Sequence, residues 1–72
     1  MYRKTNPLYI KGLCNSILYE IDNNLNYDLN LYYLCKCLNF IYSINKKVFN
    51  NLNKENKIKF INDILKIINN WI

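Results

Sequence analysis

The segment that decides the fold runs from Asp28 to Leu52 and reads DLNLYYLCKCLNFIYSINKKVFNNL. At about 100° per residue around a helix, its polar side chains fall on one narrow stripe. The stripe contains Tyr32, Lys36, Asn39, Ser43, Lys46, Lys47 and Asn50. Nearly all the remaining circumference is apolar or aromatic, which is wider than the apolar face of an ordinary surface helix. We therefore expect one long helix over residues 29–51, covered on two sides by its own chain or by a partner.

A first helix is predicted over residues 7–23. Asn6 followed by Pro7 is a typical helix start, because Asn caps free amides and proline at the first position gives up no hydrogen bond. Apolar residues then recur every three or four positions and form one face. These residues are Ile10, Leu13, Cys14, Ile17, Leu18, Ile21 and Leu25. The Asn-rich run from 23 to 27 predicts a turn, since Asn tolerates the left-handed conformation that ends helices.

A last helix is predicted over residues 54–71, beginning after Asn53. Apolar side chains, many of them Ile, cover about half of its circumference, and Asn, Lys and Asp cover the other half. Because the connections are short, neighbouring helices should be antiparallel. The sequence therefore predicts an all-α fold, a small antiparallel three-helix bundle with a long central helix, forming a single domain over residues 1–72. A division of the long helix at Asn45–Lys47 is the alternative.

The composition bounds the setting in which the chain works. Its 72 residues are 51% hydrophobic and 15% aromatic, so one small domain can build a core. Fifteen Asn with no Ala or Gln are typical of a low-GC genome, which weakens the net charge of +5 as evidence for a nucleic-acid partner. Three cysteines do not make a disulfide framework, and no run reaches the length of a membrane-spanning helix. We expect a cytoplasmic protein of a reducing compartment, in a low-GC organism or in a virus or phage host cell, with no membrane partner.

The residue types argue against catalysis. The chain has no His, a single Gly and five scattered carboxylates, so it lacks both an acid–base pair and a phosphate-binding loop. Cys35 and Cys37 lie two residues apart and point to different sides of a helix, which does not suit a metal site. We expect no enzyme activity, no cofactor, no metal and no small-molecule substrate.

Surplus apolar surface favours a non-catalytic protein-interaction module, such as a small subunit, an adaptor or an inhibitor. Large exposed apolar groups usually mark interfaces, and exposed Tyr is common on contact surfaces. Homodimerisation is the simplest version of this hypothesis. The residues expected at the protein interface are Tyr9, Tyr19, Tyr32, Ile68, Trp71 and Ile72.

The alternative is a small basic subunit of a nucleoprotein assembly. The polar stripe of the long helix carries Lys, Ser and Asn donors and no carboxylate, which suits contacts to a phosphate backbone. The residues expected there are Lys36, Asn39, Ser43, Lys46 and Lys47. No sequence-reading motif accompanies them, so binding would follow backbone and shape.

Overall fold

The computed structural model describes residues 6–71, with the side chain of Trp71 outside the described part. Four helices occupy these residues: α1 Pro7–Asp22, α2 Asp28–Cys37, α3 Tyr42–Asn50 and α4 Lys54–Trp71. Residues 6–71 contain no strand, which confirms the all-helical prediction. The expected long middle helix over residues 29–51 is wrong, because this segment divides into α2 and α3. The division lies at 38–41 and not at the alternative position, Asn45–Lys47.

The break between α2 and α3 is made by Asn39. This residue has a φ of 59°, in the left-handed region that L residues other than Asn and Asp rarely enter. The amide of Phe40 donates to the carbonyl of Cys35 at 2.8 Å, and the amide of Asn39 donates to that of Lys36 at 3.3 Å. This pair of hydrogen bonds is a Schellman motif, which satisfies the last carbonyls of a helix and turns the chain away from its axis.

The same motif ends α1. Asn24 has a φ of 58°, the amide of Leu25 donates to the Glu20 carbonyl at 2.8 Å, and the amide of Asn24 donates to Ile21 at 3.3 Å. In both motifs an apolar residue follows the left-handed Asn. Helix starts also use asparagine: the Asn6 side chain accepts from the Leu8 amide at 2.9 Å, and Asn53 accepts from the Asn56 amide at 2.8 Å. Asparagine therefore sets most of the helix boundaries.

The central element is α1, not the segment over residues 29–51. Helix α1 packs against both α2 and α4, and α3 packs mainly against α2. Among the described residues, every buried side chain is apolar or a cysteine. The members of the core are Ile10, Leu13, Cys14, Ile17, Ile21, Leu31, Leu34, Cys35, Cys37, Phe49, Ile61, Ile64 and Ile68. Leu25, expected on the core face, is exposed because it lies beyond the end of α1.

Helix α3 is held in place by the fully buried ring of Phe49. The Phe49 ring lies edge-on to Tyr27 at 5.4 Å and tilted against Phe60 of α4 at 5.5 Å, measured between ring centroids. The Tyr27 hydroxyl donates to the Asn50 side-chain oxygen at 2.7 Å, and the Lys57 ammonium lies 5.3 Å from the Tyr27 ring centre. One aromatic cluster thus joins α3 to α4 and to the turn before α2.

Candidate functional site

One apolar line of α3 faces solvent. Ile41, at the start of the helix, and Ile44 and Val48 within it are each more than half exposed. Their spacing of three and four residues places them along one side of the helix. We call these three residues the outer face of α3. Exposed apolar groups in a continuous line are a typical contact surface, whereas isolated ones are ordinary.

The outer face of α3 exists because a nine-residue helix can turn only one side to the core. At about 100° per residue, Ile44 lies roughly 140° around the helix from the buried Phe49. In the expected long helix, a second neighbour would have covered this side. After the break at Asn39, α3 packs with the Phe49 side inward. The residues of the outer face lie roughly 80° to 140° around the helix from Phe49 and stay more than half exposed.

A second feature lies on the other side of α3, where two adjacent tyrosines are flanked by two lysines. The Tyr32 ring of α2 stands edge-on to Tyr42 of α3, with centroids 5.2 Å apart. The Lys36 ammonium lies 5.5 Å from the Tyr32 ring centre, and the Lys46 ammonium lies 5.6 Å from that of Tyr42. We call Tyr32, Tyr42, Lys36 and Lys46 the tyrosine–lysine row. It is assembled from two helices and depends on the turn at Asn39.

Asp28 modifies the charge of the row. Its carboxylate lies 3.6 Å from the Lys46 ammonium, and both side chains are partly exposed. The pKa of Lys46 is raised mainly by the negative charge of Asp28, and to a smaller extent by Tyr42. Asp28 is the last carboxylate before Glu55 in the sequence, because residues 29–54 contain four lysines and no Asp or Glu. After Asp28, helices α2 and α3 therefore carry positive charges and no negative one.

The residues expected at a protein interface are dispersed in the structure. Tyr9 and Tyr19 are exposed on α1, and Tyr32 belongs to the tyrosine–lysine row. Ile68 is only 1% exposed and packs in the core, so it offers no surface to a partner in this conformation. The Trp71 side chain and Ile72 lie outside the described residues.

The residues expected to contact nucleic acid do not form one straight stripe. Lys36 and Lys46 meet at the two tyrosines, whereas Asn39 makes the turn between the helices. Ser43 and Lys47 are exposed on α3. Lys47 lies about 100° around the helix from Lys46, outside the row. The structure thus brings together two of the five expected residues and adds Tyr32 and Tyr42 to them.

The cysteines are buried thiols. Burial raises the pKa of Cys14 to about 11 and also raises the pKa of Cys35. A thiol with a raised pKa is a poor nucleophile at neutral pH. Within residues 6–71, no three Cys, Asp or Glu side chains gather as a potential metal-binding group.

Sequence reasoning missed the outer face of α3. The expected long helix was apolar around most of its circumference, including Ile41, Ile44 and Val48. The sequence pattern therefore did not distinguish the side that faces the core from the side that faces solvent. The usable signal was Asn39 followed by Phe40, which repeats the pattern of Asn24 followed by Leu25 at the end of α1. A break there predicts two short helices, each with one apolar side in excess.

Comparisons with protein-family models, with curated proteins and with solved structures find no match for this chain. Among the described residues, no helix combines the length and the apolar character that crossing a membrane requires.

Proposed function

We propose that this chain is a non-catalytic protein-interaction module that docks through the outer face of α3. The observation that carries the proposal is the line of Ile41, Ile44 and Val48, exposed on a helix whose other side is anchored by Phe49. Covering three such side chains is favourable, because apolar surface removed from water contributes about 25 cal/mol per Å². An anchored helix also presents them without a large ordering cost on binding.

The charge around the outer face favours an acidic partner over a second copy of this chain. Lys47 lies beside the face, and residues 29–54 contain no carboxylate to meet it from another copy. Bringing two such faces together would place like charges near each other, which opposes association. The fitting partner is a protein with an apolar groove whose rim carries Asp and Glu.

A pair of matched substitutions tests this proposal. Ile44 is 57% exposed on α3, and Ile67 is 52% exposed on α4. Ile44→Glu and Ile67→Glu therefore place the same charge at equally exposed helical positions. Both variants should remain folded, since each original side chain is mostly in solvent. Circular dichroism and thermal unfolding check this first.

The readout is quantitative capture from the source cells with tagged full-length protein. The proposal expects at least one protein that wild type and Ile67→Glu retain, that Ile44→Glu loses, and whose retention weakens as salt increases. Capture that is equal for all three proteins would overturn it. In analytical ultracentrifugation we expect a monomer; a dimer that Ile44→Glu dissociates would assign the face to a second copy and overturn the acidic partner.

A further inference from the structure

We propose that the tyrosine–lysine row binds single-stranded nucleic acid. The row lies on the side of α3 away from the outer face, so this inference does not depend on the proposed protein contact. It rests on four side chains that two helices bring together: Tyr32, Tyr42, Lys36 and Lys46.

The chemistry of the row matches the two parts of a nucleotide. Each tyrosine ring has an ammonium within 5.6 Å of its centre, so the row consists of two adjacent aromatic rings with a positive charge at either end. A single strand likewise presents adjacent flat bases bordered by phosphates. Non-specific single-strand binders combine aromatic stacking surfaces with cationic side chains in this way. A duplex keeps its bases stacked internally, so it presents only phosphates to such a row.

The rings are also fixed in place and partly open. Tyr32 is packed edge-on between Tyr33 at 5.5 Å and Tyr42 at 5.2 Å, which limits its rotation. Tyr32 and Tyr33 nevertheless keep more than a third of their surface in solvent. A ring that is already ordered loses little conformational freedom when a base packs against it.

Asp28 limits the strength of the site in the free protein. Its carboxylate lies 3.6 Å from the Lys46 ammonium, and a phosphate would have to compete with it for that charge. This competition distinguishes a binding row from a purely structural cluster. In a structural cluster, removing Asp28 brings only the loss of an ion pair. In a binding row, it also frees a cation for the ligand.

The test uses fluorescence anisotropy with a labelled twelve-nucleotide oligo-dT and a twelve-base-pair duplex. The proposal expects oligo-dT to bind at 50 mM salt, more tightly than the duplex. If two phosphates contact Lys36 and Lys46, affinity should fall about sevenfold between 50 and 200 mM salt. Absence of binding at 100 µM protein and 50 mM salt, or equal affinity for the duplex, would overturn the proposal.

Matched variants locate the site. Asp28→Asn should increase the affinity several-fold by releasing Lys46. Asp63→Asn releases Lys59 from a similar pair at 3.7 Å on α4 and should give less than half that gain. Lys36→Gln should weaken binding at least threefold, more than Lys66→Gln, which removes an exposed charge from α4. If the two Asp variants have equal effects, and the two Lys variants also have equal effects, binding depends only on the overall charge. That result would overturn the assignment of the binding site to the row.

A tyrosine pair tests the stacking. Tyr32→Leu should weaken oligo-dT binding about fivefold or more, because its ring is one of the two aromatic rings of the row. Tyr19→Leu makes the same change at an exposed position of α1 and should have little effect. Thermal unfolding of each variant shows whether it is folded. Folded Tyr32→Leu protein with wild-type affinity would limit the site to phosphate contacts and overturn the stacking.

Discussion

At the scale of single residues, the chain depends on groups that are completely removed from water. Phe49 is the clearest case, because one ring ties α3 to Tyr27 and to Phe60. Cys14 is another, as a small thiol with no exposed surface in the middle of α1. Neither residue belongs to a candidate binding surface. Changing them tests the architecture without altering the proposed sites.

Phe49→Ala should lower the free energy of unfolding by roughly 3 to 5 kcal/mol, since it removes a buried ring and leaves a cavity. Phe40→Ala deletes the same ring at an exposed position and should change the free energy by less than about 1 kcal/mol. Denaturant titrations of both variants measure the difference. Similar losses for the two would contradict the anchoring role of Phe49.

The Cys14 thiol should make the protein sensitive to alkaline pH. Its pKa is raised from 9.0 in the unfolded chain to about 11 in the fold, so the folded state favours the protonated thiol. The stabilising contribution is complete below pH 9 and is lost as the pH rises from 9 towards 11. The full contribution is roughly 2 to 3 kcal/mol for a shift of this size.

The comparison that isolates this effect is between wild type and Cys14→Ala. All other ionisable groups are present in both proteins, so their contributions cancel in the difference. Unfolding free energies measured from pH 8 to 11 should decline more steeply for wild type. Parallel curves would show that the buried thiol contributes no pH dependence.

At the scale of helices, boundaries follow asparagine. The starts of α1 and α4 were predictable, because Asn6 before Pro7 and Asn53 before a charged turn are ordinary capping patterns. The end of α1 was also predicted as an Asn-rich turn. Asn39 carries the same chemistry, yet it lay in phase with the polar stripe, so helical periodicity concealed the break. Periodicity reports which side of a helix is polar and does not report whether the helix is continuous.

Asn39 should therefore respond to substitution differently from a helical asparagine. Asn39→Ala should lower the free energy of unfolding by about 1 kcal/mol, because at a φ of 59° Ala lacks the short polar side chain that makes the left-handed conformation tolerable for Asn. Asn39→Gly should not lower the free energy of unfolding by more than about 0.5 kcal/mol, because Gly adopts this conformation without steric cost. Asn62→Ala, inside α4, should be neutral or slightly stabilising because Ala has the higher helix propensity. Thermal and denaturant unfolding provide the measurements. An unchanged stability for Asn39→Ala would contradict the role of this residue in ending α2.

At the scale of the whole molecule, the most apolar segment was expected to be central, and it is not. Residues 29–51 gave the widest apolar circumference, so two flanking helices were expected around them. In the structure, α1 takes the central position with a single clean apolar face, and part of the apolar circumference of residues 29–51 faces solvent. The sequence predicted more apolar surface than the fold could cover. Because residues 29–51 are apolar on both sides of the polar stripe, hydrophobicity alone could not show which side would be buried.

The unequal packing predicts unequal local stability. Helix α1 has neighbours on two sides, whereas α3 is short and packs mainly against α2. Amide hydrogen exchange should therefore be at least about tenfold faster in α3 than in the middle of α1. Exchange followed residue by residue by NMR measures this ratio. Equal protection of the two helices would indicate that the bundle opens only as a unit.

The burial of all three sulfur atoms has a practical consequence. An alkylating reagent added to the native protein reaches a sulfur only when the surrounding helices separate. The rate of alkylation at each cysteine, measured by mass spectrometry, would then report how often that part of the molecule opens. The natural cysteines of α1 and α2 serve as the reporters, so no engineered label is required.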